Sequence, residues 1–455
     1  MRLLLLFLVA CTGGADDPSD EVFVPSIPTS NCGGPVYDWA PMDRMGEVVY
    51  WEPMLEASIQ PVGIEALQQS AGMELVEEVP YGTKAYRYRY VTQDRGEVVE
   101  ATGMVAFPDT QGEPLQTKTV LWLHPTVGFS DECAPSANGL EHAVPMLVGA
   151  SQGYIVVAPD YLGMAGLGEP SGMLHPYVVA EPTAIASLDA YRGMVELATG
   201  TSGPQLGVEP NGEMVIWGIS EGGFASLWTD RYQPHYLPDV NVQGVAAIIP
   251  ASDIRALAQH GLSTFGDTTW GILAMFTTAH AWFGRPGELS DALTDEEPAY
   301  LASSLEDLLA SDCSPTGFEG ADSLNAIEDL YTASFVEAVQ SGDWQAADPF
   351  SCYLDAATLQ GSAIPRESSS PVLFVVAEED ELAYAGTERE GARKLCEEGQ
   401  PIEYIECDGA DHVDGAVETL RYQWNWIARR LEGEPWLDGG SCQIGAPMDC
   451  ETLMD

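Results

Sequence analysis

Apolar positions along this chain follow two rhythms that take turns over most of its length. Two early runs alternate apolar and polar residues, Ala85-Tyr-Arg-Tyr-Arg-Tyr-Val91 and Val98-Val-Glu-Ala-Thr-Gly-Met-Val-Ala-Phe107. They flank Gln93-Asp-Arg-Gly96, so the pattern predicts an antiparallel hairpin. Short, buried-looking runs that are mostly apolar follow at 119–123, 154–158, 214–217, 242–249, 372–377 and 402–406. Runs of that kind suit strands covered on both faces. Helix-compatible stretches separate most of them, notably 182–198, 222–232, 386–398 and 415–431. This alternation predicts an α/β fold whose mostly parallel sheet is flanked by helices.

The rhythm breaks between 252 and 366, which holds helical patterns, two cysteines and no strong strand. An insertion there, just after the strand at 242–249, reads as a helical cap. Trp270, Leu273, Phe276 and Phe283 recur at spacings compatible with one helix face. That face either packs into the cap's own core or walls a binding site, with Trp270 and Phe276 as candidate substrate contacts.

The densest chemical signal is Met214-Val-Ile-Trp-Gly-Ile-Ser220-Glu-Gly-Gly-Phe-Ala-Ser-Leu-Trp228. A strand pattern ends at Gly218, turns through Ser220 and leaves as a helix. Gly218 and Gly222 flank the serine because a side chain at either place would crowd so sharp a turn. That order is the nucleophile elbow of an α/β-hydrolase. The second Gly-x-Ser-x-Gly string, Gly149-Ala-Ser151-Gln-Gly153, follows a helix pattern and runs into a strand. Gly153 there reads as a helix stop, so Ser151 is not the candidate.

A serine hydroxyl needs a base, and the base needs an orienting acid. In this fold the expected order is Ser, an acid after a late strand, then His after the last strand. Pro371-Val-Leu-Phe-Val-Val-Ala-Glu-Glu-Asp380 ends a strand pattern in acids, and Ile402-Glu-Tyr-Ile-Glu-Cys-Asp-Gly-Ala-Asp-His412 brings the only histidine beyond Asp380. Ser220, Asp380 and His412 are therefore the candidate triad. Asp380 is preferred to its neighbours Glu378, Glu379 and Glu381 because it lies just beyond the strand end. The oxyanion hole is expected at the backbone N–H of Glu221 plus one from Leu121-Trp-Leu-His124-Pro-Thr-Val-Gly128. Pro125 has no N–H, so Thr126 is the candidate second donor. Alternatively His124 and Gly128 simply shape a tight turn. Asp160 and Tyr161 either touch substrate or orient neighbouring loops, and His175 reads as a loop brace.

Charge narrows the partners. Seventy acidic residues oppose 18 basic ones, a net charge of -52. Nucleic acid and anionic membrane surfaces would be repelled. The acids are spread along the chain, an excess that looks like adaptation to salty surroundings, where counterions screen self-repulsion.

The first residues read as a targeting signal. Arg2 precedes an apolar run from Leu3 to Ala10, too short to span a bilayer and suited to a signal peptide over residues 1–10. Leu8-Val-Ala-Cys11 resembles the lipobox of bacterial lipoproteins, with Cys11 as the lipidated residue. Residues 11–30 then form a tether. The expectation is export to the cell envelope, with the lipid as the only membrane contact. Thr12 favours the outer membrane or cell surface. Eight cysteines remain, an even number that implies disulfides in an exported chain. Cys442–Cys450 and Cys396–Cys407 are locally compatible pairs, though spacing alone does not settle connectivity. The remaining segments are the core over 31–251, the cap over 252–366, the rest of the core over 367–431, and a disulfide-containing tail over 432–455.

Several motifs together resemble the secretory lipases and their bacterial relatives. These are His124-Pro-Thr-Val-Gly128 with Cys133-Ala-Pro-Ser136, Gly153-Tyr-Ile-Val-Val-Ala-Pro-Asp-Tyr-Leu-Gly163, His175-Pro-Tyr177, Asp189-Ala-Tyr-Arg192, Gly218-Ile-Ser-Glu-Gly-Gly223 and Gly409-Ala-Asp-His412. The resemblance covers roughly Tyr81 to Leu431. It implies a capped α/β-hydrolase that cleaves carboxylic esters, lipids or other small acyl esters, with no cofactor or metal. Pro125, Glu221 and Ala377 depart from the family's usual Gly, Gln and Gly. A serine peptidase or acyltransferase on the same fold, and a non-catalytic surface binding lipoprotein, are the rival readings.

Overall fold

The computed structural model describes residues 23–71, 76, 78–297, 300–311, 313–314, 321–436 and 442–454. Cys11 and the signal-like run lie outside the described residues. Nine strands form one sheet: β1 (Val48–Met54), β2 (Gly82–Asp94), β3 (Glu97–Asp109), β4 (Leu115–Leu123), β5 (Ile155–Pro159), β6 (Val208–Ile219), β7 (Asn241–Ile248), β8 (Val372–Ala377) and β9 (Ile402–Cys407). Their spatial order is β1-β2-β3-β5-β4-β6-β7-β8-β9. From β5 to β9 every pair is parallel, whereas β1, β2 and β3 join antiparallel to each other and to β5. The predicted hairpin is β2–β3. It closes through Arg95 and Gly96, both at positive φ, the two-residue geometry that matches strand twist. Strand β1 left no sequence signal because it is a half-exposed edge without clean alternation.

Alternation within each parallel strand builds two apolar layers. Leu121, Val157, Ile216, Val245 and Phe374 pack on one face with the helices Ala180–Thr199 and Glu221–Tyr236. Trp122, Val156, Trp217, Ile248 and Val375 pack on the other with Leu140–Ser151 and Leu420–Leu431. Burial on both faces is why most of these strands read as near-continuous apolar runs. Between β7 and β8 the described residues carry helices, the longest being Asp267–Trp282, and no strand of the sheet.

Four disulfides tie this frame: Cys32–Cys352, Cys133–Cys313, Cys396–Cys442 and Cys407–Cys450. The last two replace the local pairs Cys442–Cys450 and Cys396–Cys407. The tail runs alongside β9, with Cys442 N–H donating to the Ile402 carbonyl and Met448 N–H to that of Glu406. One tail cysteine therefore reaches each end of the strand, and neither meets the other.

Candidate active site

The elbow forms where β6 ends. Ser220 sits at φ 58° and ψ -117°, directly before the helix Glu221–Tyr236. A non-glycine residue there carries strain of about 1–3 kcal/mol, which the surroundings must hold. They do so by close packing: a Cβ on Gly218 would overlap the Gly222 carbonyl, and one on Gly222 would overlap that of Leu123. The Ser220 N–H donates to the Ile248 carbonyl at 2.9 Å, pinning the turn to the end of β7.

The ends of β8 and β9 supply the other two groups. His412 Nε2 lies 2.8 Å from Ser220 Oγ, and its Nδ1 lies 2.8 Å from both Asp380 oxygens. Asp380 is buried, and its Oδ1 also accepts the N–H groups of Leu382 at 2.9 Å and Ala383 at 2.6 Å. With an anion on Nδ1, that nitrogen holds the ring proton and Nε2 is left to accept from the serine. The neighbouring acids have other duties. Glu381 accepts the His412 N–H, Glu378 accepts that of Gly409, and Asp411 caps the helix His412–Glu418.

Ser220 and His412 open on a cavity of about 360 Å³. Thr126 and Glu221 line it as well, and neither backbone N–H donates to another group among the described residues. Those are two free donors beside the serine, as an oxyanion hole requires. Further walls come from Phe224, Ile254, Leu257, Ile272 and Met275, so the cavity is chiefly apolar. Val413 and Val417, both largely exposed, also line it.

Residues 141–439, well over half of the chain, match the secretory lipase family. The chain belongs to that family. Membership places it with the lipase and esterase hydrolases. Lipase A of Arthroderma benhamiae is 26% identical over 363 residues, 71% of this chain and 69% of the relative. "Probable inactive lipase MT1628" of Mycobacterium tuberculosis is 24% identical over 381 residues, 79% of this chain and 76% of the relative. The rice cell wall degrading esterase LipA from Xanthomonas oryzae shares the fold with TM-score 0.67 and 19% identity, over 86% of this chain and all of that one. Candida antarctica lipase A does so with TM-score 0.63 and 15% identity, over 93% and 88%. These structures agree with the α/β-hydrolase fold expected from the strand-helix pattern. Among the described residues no helix is long and apolar enough to cross a membrane.

Other residues singled out in the sequence of this secretory lipase family member fall elsewhere. Asp160 is fully buried and accepts from Thr102 Oγ1, Ser136 Oγ and the Ser136 N–H, bracing loops behind the site. Burial pushes its carboxyl up to about 6. Tyr161 is buried too, its hydroxyl donating to the His124 carbonyl at 3.2 Å. His124 is driven down to about 4 by burial, which keeps its ring neutral. Trp270 and Phe276 do not line the cavity. Phe276 instead meets Tyr331, Phe335 and Phe350 within the helical insertion. The cavity side of that helix carries Thr268, Gly271, Ile272 and Met275. Reading the sequence missed these helix residues because the helix is buried on nearly every side and its period selects no single face; Tyr177 stands out in the sequence only as part of the His175-Pro-Tyr177 motif.

A larger cleft of about 890 Å³, bordered by Glu181, Trp228, Arg255 and Lys394, shares no residue with the Ser220 cavity. Among the described residues, Cys407, Glu418 and Cys450 lie close enough to share a metal ion, but the two cysteines are joined to each other.

Proposed function

We propose that this chain is a serine carboxylic ester hydrolase working through Ser220, His412 and Asp380. The observation that carries the reading is the 2.8 Å contact of His412 Nε2 with Ser220 Oγ on a strained elbow. Family membership alone is insufficient, since one relative is a probable inactive lipase. Here all three groups are present and connected.

In the proposed reaction the substrate's acyl chain enters the apolar cavity and Ser220 Oγ attacks the carbonyl carbon. His412 takes the hydroxyl proton on Nε2, while Asp380 holds the resulting imidazolium through Nδ1. The carbonyl oxygen becomes an oxyanion that the Glu221 and Thr126 N–H groups receive. The C–O bond breaks as His412 returns the proton to the leaving alcohol. Water, deprotonated by the same imidazole, then releases the acid from the acyl-enzyme.

The cavity favours an uncharged acyl chain. Asp411, Asp414 and Glu418 accompany Val413 and Val417 on or beside the helix that lines it, so an anionic substrate is disfavoured on approach. The helical insertion of 252–366 acts as the cap over this cavity. Export and anchoring through Cys11 complete the proposal, and Cys11→Ser is expected to move the protein from the membrane to the soluble fraction.

The test uses purified protein and Ser220→Ala on p-nitrophenyl esters of graded chain length and on aminoacyl anilides. Ester turnover that disappears in the variant supports the reading. Anilide cleavage without ester cleavage points to a peptidase, and no Ser220-dependent turnover points to a binding protein.

A further inference from the structure

Behind the elbow lies a pair of side chains that the triad does not use. His175 Nε2 is 2.7 Å from Glu221 Oε1, and both side chains are entirely buried. His175 Nδ1 is 2.8 Å from the Leu162 carbonyl oxygen, which can only accept, so Nδ1 carries a hydrogen. A buried imidazole lone pair facing a carboxylate at that distance would be repulsive. One further proton must therefore lie between Nε2 and Oε1. The pair is neutral overall whichever atom holds it. Glu221 Oε2 is buried and has no partner among the described residues, so a single hydrogen bond among them holds this carboxyl group.

The position of the pair gives it a purpose. Glu221 supplies one expected oxyanion donor through its backbone N–H. The segment of His175 leads to the other: the His175 N–H donates to the Phe129 carbonyl at 2.9 Å, and Tyr177, two residues on, lines the cavity together with Thr126. On its other side the His175 ring stacks on Tyr161, with centroids 5.8 Å apart, and Tyr161 holds the His124 carbonyl. The side-chain bond thus joins elbow and loop, beside the direct packing of Gly222 against the Leu123 and His124 carbonyls.

We propose, resting on the hydrolase reading above, that Glu221 and His175 are positioning residues for the oxyanion hole. Their shared proton ties the elbow to the 124–129 loop and keeps net negative charge away from the place where the oxyanion forms. Loss of the tie lets the two donors drift relative to each other. Misplacement on the ångström scale costs on the order of 100-fold in rate. Ground-state binding in the apolar cavity is untouched.

The test is a double-mutant cycle. His175→Asn keeps a donor for the Leu162 carbonyl and cannot reach Glu221; Glu221→Leu removes the acceptor. Each single variant is expected to lower kcat about 10- to 100-fold, with KM within about threefold of the parent. The double variant is expected to be no worse than either single one. An alkyl trifluoromethyl ketone, whose Ser220 adduct places an oxyanion in the hole, should weaken by the same factor. The corresponding methyl ketone should not weaken. Glu221→Gln can still bond Nε2 and is expected to recover most of the loss seen in Glu221→Leu.

Multiplying losses, parallel loss of methyl ketone binding, or Glu221→Gln as impaired as Glu221→Leu would overturn the proposal. If either substitution fails to fold, the Gln variant and the ketone ratio still decide. Ser220→Ala run in parallel separates the two readings. Turnover surviving in it would sink the hydrolase assignment, whereas its loss beside fully active 175 and 221 variants would sink only the brace.

Discussion

Asp380 points both carboxylate oxygens at Nδ1 of His412, each 2.8 Å away, and no cation shares that carboxylate among the described residues. Its other partners are two backbone N–H groups, which fix its direction without neutralising it. The imidazole is thereby held with Nε2 free for the serine. In Asp380→Asn the amide oxygen can keep the Leu382 and Ala383 bonds while the NH2 group faces Nδ1 and forces the wrong tautomer. The expected outcome is a fall in kcat of about 10³- to 10⁴-fold with an unchanged fold. Steady-state kinetics beside a circular dichroism spectrum checks it, and a loss under tenfold would remove Asp380 from the triad.

Gly271 and Met275 lie one helical turn apart on the cavity side of Asp267–Trp282. A Cβ built on Gly271 meets nothing within 4 Å, so packing does not demand a glycine there. Glycine inside a helix costs roughly 1 kcal/mol relative to alanine. Gly271→Ala is therefore expected to raise Tm slightly. Gly271→Leu is expected to fill the cavity, sparing acetate and butyrate esters and cutting kcat/KM for long-chain esters about 10-fold or more. A chain-length profile that does not change would show that acyl groups lie elsewhere.

Much of this site was legible because its chemistry sits at strand ends. The six strands from β4 to β9 announced themselves by short, mostly apolar runs between helical stretches, and once β6, β8 and β9 were placed, Ser220, Asp380 and His412 followed from chain order. The helix Asp267–Trp282 was different, since burial on nearly every side conceals which residues face the cavity. Disulfide pairing depended on the tail lying along β9, a non-local fact that short spacings such as Cys442 to Cys450 point away from. The His175–Glu221 bond joins a loop to an elbow 46 residues later, and neither residue's local pattern hints at the other.

Glu388 couples stability to pH at the base of the insertion. It is fully buried and accepts the Ser252 N–H at 2.9 Å and the Ser252 hydroxyl at 2.6 Å, both on one carboxylate oxygen. Burial pushes its carboxyl from 4.5 up to about 8. The folded state thus holds a proton that the unfolded state has released between those values. Stability from this group is fully present below about 4.5 and is lost as pH rises through about 8. Glu388→Gln, neutral at every pH, is expected to gain Tm relative to the parent as pH climbs from 5 to 8.5. The advantage is of the order of 1–3 kcal/mol at the upper end. Parallel Tm curves for the two proteins would show that Glu388 is not protonated in the native state.

Net charge sets how the whole fold answers salt. Even if each of the 18 cationic residues neutralised one acid, an excess of 52 negative charges would remain. Surface ion pairs such as Arg285–Glu306 weaken with added salt, but exposed pairs contribute only about 0–1 kcal/mol each. Repulsion among the surplus acids acts over the Debye length, about 30 Å at 0.01 M salt and about 3 Å at 1 M. Relief of repulsion should therefore outweigh loss of pairs, and Tm is expected to rise by several degrees between those concentrations of sodium chloride. Sucrose at matched osmolality, which screens nothing, separates this effect from general exclusion by cosolutes. A Tm that stays flat in salt, or rises equally in sucrose, would mean that the acids are spaced widely enough for water alone to hold them.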